Sequence, residues 1–445
     1  ERPIINTAMP AAITTVAKVL ARWRSLVFPH RQPSQIEKKC HFGPMKERHS
    51  VKGKGKSSSW LFLVLFLSSL PCLSQSTASR TGDLLLDKLK GQRIAVVAHA
   101  ASVSDGVFIL DQLADQQVVK VMSPEHGFAS KASDGEHVSD SKTDKGVPII
   151  SLYGSHKKPT AEDLRGVDVL LFDLQDLGLR FYTYISTLTY VMEACAENGV
   201  KLMVLDRPNP FAYAVDGPML SNDYKSFIGM HPVPVIYGMT IGEYALMVKG
   251  EGWIANAEAL NLEVLEIKGY HREPTYPDIA PSPNLPDDHA IAWYPSLCFF
   301  EGTTVSVGRG SNQPFTCYGA PWFPMETFSF KPMSCTASKY PKHEGVLCQG
   351  VNLREVNPKG LIDLQPMLHA YQQAVSAGVV DDFFLLSGQS LALRYGSDNL
   401  RQLLQSGAEL SNIYQSWAED PAYQHYRQVI RPKYLLYQGL GDSFK

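Results

Sequence analysis

Short runs of apolar residues recur from about residue 82 onward, and each run ends in a polar loop. The runs are nearly continuous rather than alternating, which is typical of parallel strands covered on both faces. They span residues 93–98, 118–122, 147–151, 167–172 and 201–205. Helical periodicity separates them, most clearly over 186–198, where Gly199 provides a stop signal. The alternation predicts an α/β fold with a Rossmann-like, mostly parallel sheet.

Beyond about residue 215 the pattern changes, because prolines and aromatic residues become dense. Helical patterns return over 362–375 and around 400–404, and the apolar run 431–437 predicts a last strand. We therefore expect a Rossmann-like N-terminal domain over 82–215. A second, smaller α/β domain is expected over 216–445, facing the first across a cleft.

The first 80 residues differ from the rest. Residues 1–44 show no sustained apolar period and are interpreted as an unstructured leader or upstream translation. Residues 45–80 form a basic segment followed by the apolar run 60–67, which predicts a signal peptide. That run is shorter than the ~20 residues of a membrane span. We expect an exported protein, periplasmic or secreted; a lipid anchor on Cys72 is disfavoured because Leu70-Pro71 is a poor lipobox.

Composition narrows the function classes. The 42 basic and 44 acidic residues nearly cancel, so no basic field predicts nucleic-acid binding. The segment after the first strand, 98–102, lacks GxGxxG, which disfavours a dinucleotide cofactor, and no CxxC or HExxH motif predicts a metal. No cofactor is expected. Cys335 and Cys348 are compatible with a disulfide or with two free thiols, and the oligomeric state stays open.

Polar residues collect after the second, fourth and fifth predicted strands, where the carboxyl ends of parallel strands share one edge of the sheet. Each could bind a ligand there or could instead cap a helix or fix a turn. These candidates are Glu125, His126, Asp173, Gln175, Asp176, Asp206, Arg207 and Asn209.

A glycine-rich loop, 300–315, adds Glu301 and Arg309. Acids, amides, hydroxyls and aromatic rings together fit a carbohydrate ligand, and a glycosidase typically uses two carboxyl groups. Glu125 and Glu301 are the predicted pair, one from each domain. The chain contains no GxSxG elbow for a serine hydrolase. A sugar-binding protein with two lobes is the rival interpretation, since it would need no acid pair.

Many ordered motifs carry a resemblance to a known family. They include Ser123-Pro-Glu-His-Gly-Phe128, Arg180-Phe-Tyr-Thr-Tyr184, Leu205-Asp-Arg-Pro-Asn-Pro210, Pro281-Ser-Pro-Asn284, Glu301-Gly-Thr303 and Gly308-Arg-Gly310. From about 82 to 437 the chain resembles the bacterial NamZ-like exo-β-N-acetylmuramidases, formerly a domain family of unknown function.

The resemblance implies release of N-acetylmuramic acid from the non-reducing ends of peptidoglycan fragments, with the active site between the two domains. Carried over, Glu125 and Glu301 are the expected acids. We infer from its apolar, Pro- and Phe-flanked position that Glu125 is the general acid, and Glu301 would then be the second carboxylate. Asp173, Asp176 and Glu136 remain alternatives for the second role.

The resemblance also suggests substrate-binding residues. Arg180, Arg207 or Arg309 is expected to meet the lactyl carboxylate of muramic acid. Tyr182 and Tyr184 are expected to stack on or hydrogen-bond the sugar, and Asn284 is counted with them. Each could instead be a strut between loops.

The chain departs from the family pattern in places. Ala129-Ser130 stands where Arg-Gly is usual, and the loop 331–350 looks inserted. The first departure alters the charge expected near Glu125 and leaves substrate preference open. The sequence leaves the mechanism open between retention, inversion and elimination. Elimination would make the protein an exo-lyase.

Overall fold

The computed structural model describes residues 83–125, 127–128, 141–325 and 328–439. The interpreted leader and signal peptide lie outside these ranges, as do His126 and Glu136. In the described part of the chain, no helix is both long and apolar enough to cross a membrane.

A seven-stranded sheet forms the centre of the fold, in the order β11-β8-β7-β1-β4-β6-β5. Neighbours run parallel except at the edge, where β5 is antiparallel to β6. The strands are β1 (Arg93–Ala98), β4 (Gln117–Ser123), β5 (Ser141–Lys142), β6 (Pro148–Ser151), β7 (Val169–Asp173), β8 (Lys201–Leu205) and β11 (Leu262–Leu265). The predicted Rossmann-like, mostly parallel sheet is confirmed, and each of the five predicted strands is present.

Both faces of this sheet are covered, which explains the continuous apolar runs. In β1, Ile94 and Val96 pack on one side with Leu85 and Leu89 of helix α1 (Asp83–Leu89). Ala95 and Val97 join the larger core on the other side. Successive strand residues point to opposite faces, so a doubly covered strand needs an apolar residue at every position.

The larger core contains helix α4 (Tyr184–Asn198). It ends where predicted, because Gly199 adopts the left-handed conformation with φ of 64°. Cys195 is buried in this core.

The remaining elements fill the chain between and after these strands. The short strands are β2 (Val103–Ser104), β3 (Val107–Phe108), β9 (Asp216–Met219) and β10 (Pro234–Ile236). The helices are α2 (Ile109–Gln112), α3 (Ala161–Leu164), α5 (Ile241–Gly250), α6 (Asp288–Leu297), α7 (Gln365–Ser376), α8 (Gln389–Tyr395), α9 (Asn399–Gln405), α10 (Leu410–Glu419) and α11 (Pro421–His425).

A smaller second sheet follows α6 and is antiparallel, in the order β12-β14-β13. Its strands are β12 (Cys317–Ala320), β13 (Phe328–Phe330) and β14 (Cys348–Asn352). The predicted smaller α/β region is therefore present, and α7 and α9 match the helices predicted there. Strand β11, from beyond residue 216, pairs with β8 of the main sheet. The domain division at 215 and 216 stays a prediction.

The predicted last strand over 431–437 is wrong. Arg431–Tyr434 is a 3₁₀ helix that continues from the π-helical turn Tyr426–Ile430. Pro432 has no N–H to donate to a strand ladder, and the following residues bind side chains rather than a strand edge.

This C-terminal segment is hydrogen-bonded to a buried ion pair between Glu243 and Arg272. The backbone N–H of Leu436 donates to Glu243 Oε1 at 2.7 Å, and Arg272 Nε donates to the carbonyl of Tyr437 at 2.8 Å. The hydroxyl of Tyr437 reaches Asp206 Oδ2, at the end of β8, at 2.7 Å. The chain end is thereby tied to the main sheet.

Among the described cysteines none is bonded to another; Cys335 is exposed whereas Cys348 is buried. The disulfide is thus absent from this structure, in accord with the free-thiol alternative.

Replacing Arg272 with Met should destabilise the fold by about 3 to 5 kcal/mol, because the carboxylate of Glu243 would stay buried without its cation. The free energy of unfolding from chemical denaturation measures this. The control is Arg165→Met, since the Arg165–Glu162 pair is exposed and should contribute little. Equal losses in the two variants would contradict the assignment.

Candidate active site

A cavity of about 370 Å³ holds both predicted carboxylates. Glu125 reaches it from the loop after β4, and Glu301 from the 3₁₀ turn Cys298–Gly302 that follows α6. The two acids are far apart in the sequence, so the fold has brought together the pair that the motifs selected.

Glu125 is partly buried, and its orientation is set by a neighbour that the sequence analysis did not single out. Thr183 Oγ1 donates a hydrogen bond of 2.7 Å to Glu125 Oε2. Thr183 directly precedes α4, and it also lines the cavity. The loop that carries Glu125 contains a turn in which the N–H of Gly127 donates to the carbonyl of Pro124 at 3.0 Å. One carboxylate oxygen is therefore held, and the loop beneath it is braced.

Glu301 lies among cations. Its Oε1 accepts a hydrogen bond from Arg309 Nε at 3.0 Å. Burial alone would favour the protonated acid, but the charges of Arg309, Lys342 and Arg394 outweigh it and lower the pKa of Glu301 to about 2. Glu301 is thus ionised throughout the neutral and mildly acidic range.

Aromatic rings form much of the cavity wall. Tyr182 and Tyr184 meet edge to face with ring centroids 4.8 Å apart, and Tyr294 meets Phe315 in the same manner at 4.8 Å. The guanidinium of Arg309 lies 4.8 Å from the centroid of Phe315, a cation–π contact. Such faces suit the apolar side of a sugar ring.

The hydroxyl of Tyr184 belongs to a buried relay. The backbone N–H of Gln175 donates to Nε2 of His99 at 3.1 Å, so the proton of the neutral imidazole is on Nδ1. Nδ1 then lies 3.2 Å from the Tyr184 hydroxyl, which itself donates to the carbonyl of Pro281 at 3.1 Å. His99 therefore orients Tyr184 from outside the cavity.

Asn284 offers a hydrogen-bond acceptor to the cavity. Its Nδ2 donates to the carbonyl of Ala337 at 2.8 Å, in the loop that the sequence marked as inserted. Its Oδ1 is buried and has no partner among the described residues. A buried acceptor without a partner is costly, so a ligand O–H or N–H is the natural complement.

Seven of the predicted substrate-binding residues that the structure describes do not line this cavity. They are Asp173, Gln175, Asp176, Arg180, Asp206, Arg207 and Asn209. All are buried and hydrogen-bonded to protein. Their position supports the alternative that they hold loops, and a role in substrate binding stays a prediction.

Two of the acids in this group show how complete that bonding is. The carboxylate of Asp173 accepts hydrogen bonds from Nε and Nη2 of Arg207, at 2.7 and 3.1 Å. Asp206 accepts from the N–H of Gly242 and the hydroxyls of Thr240 and Tyr437, each at 2.7 Å.

Burial raises the pKa of Asp176 to about 6, as it does that of Asp206, although Tyr237 and the N–H of Gly178 donate to Asp176. Asp176 is not part of the cavity lining.

Arg180 is fully buried and binds only backbone. Nη1 donates to the carbonyls of Pro218 and Val233 at 2.7 and 2.8 Å, and Nη2 donates to those of Arg394 and Tyr395 at 2.9 and 2.8 Å. It joins three stretches of chain that are remote in sequence.

Sequence reasoning missed several lining residues: Thr183, Ser282, Tyr294, Phe315 and Arg394. Thr183 and Ser282 lie inside motifs that were noticed, so their positions carried a signal. Arg394 lies in α8, in a stretch without a recognised motif, and only the fold places it at the cavity.

A second, larger depression of about 500 Å³ lies elsewhere, lined by residues between 246 and 258 and by 433–436. It contains no predicted site residue. Among the described residues, no group of three or more His, Cys, Asp or Glu side chains is arranged to hold a metal ion.

Comparison with known proteins agrees with this architecture. A DUF1343 family protein from Bacteroides fragilis NCTC 9343 superimposes with a TM-score of 0.71 and is 37% identical, covering 80% of this chain and 97% of that one. A second DUF1343 protein from the same strain gives 0.69 at 28% identity, with the same coverages. Both solved structures therefore share this fold over most of the chain.

A characterised sequence relative is the peptidoglycan β-N-acetylmuramidase NamZ of Bacillus subtilis (strain 168). It is 37% identical over 382 residues, which are 79% of this chain and 88% of the relative. The family models for the N-terminal and C-terminal parts of exo-β-N-acetylmuramidase NamZ match residues 94–289 and 292–437. The chain belongs to the exo-β-N-acetylmuramidase NamZ family.

Proposed function

We propose that this protein is an exported exo-β-N-acetylmuramidase that removes N-acetylmuramic acid from the non-reducing ends of peptidoglycan fragments. Family membership supports a glycosidase acting on peptidoglycan-derived sugar. The basic segment and short apolar run before residue 80 support export to the periplasm or the medium.

The observation that carries the mechanism is the shared cavity of Glu125 and Glu301. Hydrolysis of a glycosidic bond needs one carboxyl group to protonate the leaving oxygen and another that is ionised at the anomeric side. The two acids have different environments, which is the means by which a protein separates such roles.

Glu301 is the ionised member. With three cations around it, it remains a carboxylate where the enzyme would work, and its negative charge would stabilise an oxocarbenium-like transition state. The general acid is then Glu125, whose neighbouring donor is a neutral hydroxyl, that of Thr183, rather than a guanidinium. The two candidate acids therefore differ in the charge that surrounds them.

The wall of the cavity suits the substrate. The rings of Tyr182, Tyr184 and Tyr294 would contact the sugar, and Oδ1 of Asn284 would accept from a hydroxyl or from the acetamido N–H. A binding protein would need the same wall, so the acid pair must be tested by turnover.

Glu125→Gln should lower kcat on a natural disaccharide by about 10² to 10⁴-fold, because leaving-group protonation is lost. On a β-N-acetylmuramide with a nitrophenyl leaving group the loss should be much smaller, because this group departs without a proton. Glu301→Gln should reduce turnover of both substrates. Steady-state kinetics on the two substrates measures the difference.

The matched control is Glu162→Gln, an exposed glutamate in α3, which should behave as wild type on both substrates. Circular dichroism establishes that each variant is folded. Glu125→Gln with near wild-type turnover of the disaccharide would contradict the acid assignment. If the wild type binds muramyl sugars without turnover, the proposal that the protein is an enzyme is wrong.

Arg309→Met should move the acid limb of the kcat/KM profile to higher pH. With Arg309 present, the low pKa of Glu301 keeps it ionised between about pH 4 and pH 7, so its protonation costs no activity there. Without that cation the pKa of Glu301 rises, and the ionised fraction falls as the pH is lowered through the new value. A pH profile of kcat/KM with an unchanged acid limb would exclude Glu301 as the essential carboxylate.

A further inference from the structure

Positive charge exceeds negative charge around the cavity. Arg309, Arg394 and Lys342 act on Glu301, and Glu125 is the only other acid in the lining that the described residues form. Counting Lys342, which acts on Glu301 from outside the lining, three cations surround two carboxylates. Such an imbalance in a partly buried site favours an anionic ligand.

Two of the cations are engaged with the protein. Arg309 donates Nε to Glu301 and lies against Phe315. Lys342 donates Nζ to the carbonyls of Phe300 and Val305 at 2.7 and 3.2 Å and is not in the cavity lining. Arg309 is thus already paired with a carboxylate, and Lys342 does not reach the cavity lining.

Arg394 is different. Nη1 donates to the carbonyl and the hydroxyl of Ser390 at 2.9 and 3.0 Å, one turn earlier on α8. Nε and Nη2 have no hydrogen-bond partner among the described residues, and the side chain lines the cavity. The guanidinium is thus anchored at one nitrogen and can donate from its other edge.

The backbone that carries Arg394 is held firmly. Nη2 of the buried Arg180 binds the carbonyls of Arg394 and Tyr395. Gly302, beside Glu301, packs so closely on Leu391 that an added Cβ would lie 2.4 Å from its Cα. Helix α8 therefore has a defined position relative to Glu301.

We propose that Arg394 binds the lactyl carboxylate of the substrate and so selects N-acetylmuramic acid over N-acetylglucosamine. The proposal rests on the proposed function, and it assigns the carboxylate to a residue outside the recognised motifs. Arg180 and Arg207 are unsuited because neither lines the cavity. The terminal nitrogens of Arg180 bind backbone carbonyls, and Arg207 is paired with Asp173.

The chemistry of the two sugars makes the assignment specific. Muramic acid carries one carboxylate, on its lactyl ether, which N-acetylglucosamine lacks. A guanidinium edge with two N–H donors matches the two oxygens of a carboxylate, whereas a lysine would supply only a point charge. Arg394 is therefore expected to discriminate between them.

The test compares three nitrophenyl β-glycosides: that of N-acetylmuramic acid, its methyl ester, and that of N-acetylglucosamine. Because Arg394 also acts on Glu301, Arg394→Met should cause some loss on all three substrates. The loss in kcat/KM should be at least about tenfold larger for the acid than for the two uncharged substrates, and this excess should appear chiefly in KM. Arg394→Lys should recover part of the loss. Arg165→Met, which removes an exposed arginine, is the matched control and should match wild type.

An equal loss on all three substrates would overturn the proposal and give Arg394 a structural role. Calorimetric titration with free N-acetylmuramic acid and N-acetylglucosamine separates the remaining outcomes. Arg394-dependent binding of the acid without turnover would refute the proposed enzyme but retain the carboxylate site. Turnover of the N-acetylmuramide that does not depend on Arg394 would refute the proposed carboxylate site and leave the proposed enzymatic function intact.

Discussion

The buried guanidinium of Arg180 is the interaction on which the cavity depends. Burial lowers its pKa to about 9, yet its terminal nitrogens are satisfied by four backbone carbonyls and not by a carboxylate. Residues 181–183 follow Arg180 directly in the sequence and line the cavity. Arg394, whose carbonyl Arg180 binds, also lines it. Removing Arg180 would leave these carbonyls without donors and free the two cavity-lining segments from each other.

The second constraint is electrostatic. Glu301 is partly buried, which would favour its neutral form, but Arg309, Lys342 and Arg394 reverse that preference. The same cations therefore hold an ionised carboxylate at the cavity. Glu125 is held instead by a threonine hydroxyl. The two carboxylates thus have different electrostatic environments.

The loop predicted to be inserted takes part in the same arrangement. It supplies Lys342, which donates to the carbonyl of Phe300 next to Glu301, and Ala337, whose carbonyl orients Asn284. Sequence comparison by motif would treat this loop as peripheral. Its contacts make it a support for both a catalytic candidate and a substrate-binding candidate.

The sequence by itself determined the parallel sheet, because doubly buried strands need continuous apolar runs, and it singled out Glu125 and Glu301 within glycine-bounded motifs. It could not determine which polar residues at the strand ends face the cavity. Asp173 and Arg207 neutralise each other, and Arg180 binds backbone 214 residues away. Arg394 reaches the site only because α8 packs against Gly302. The tertiary structure decided these positions and contacts, because only the folded chain shows whether a distant segment already satisfies the donors and acceptors of a polar side chain.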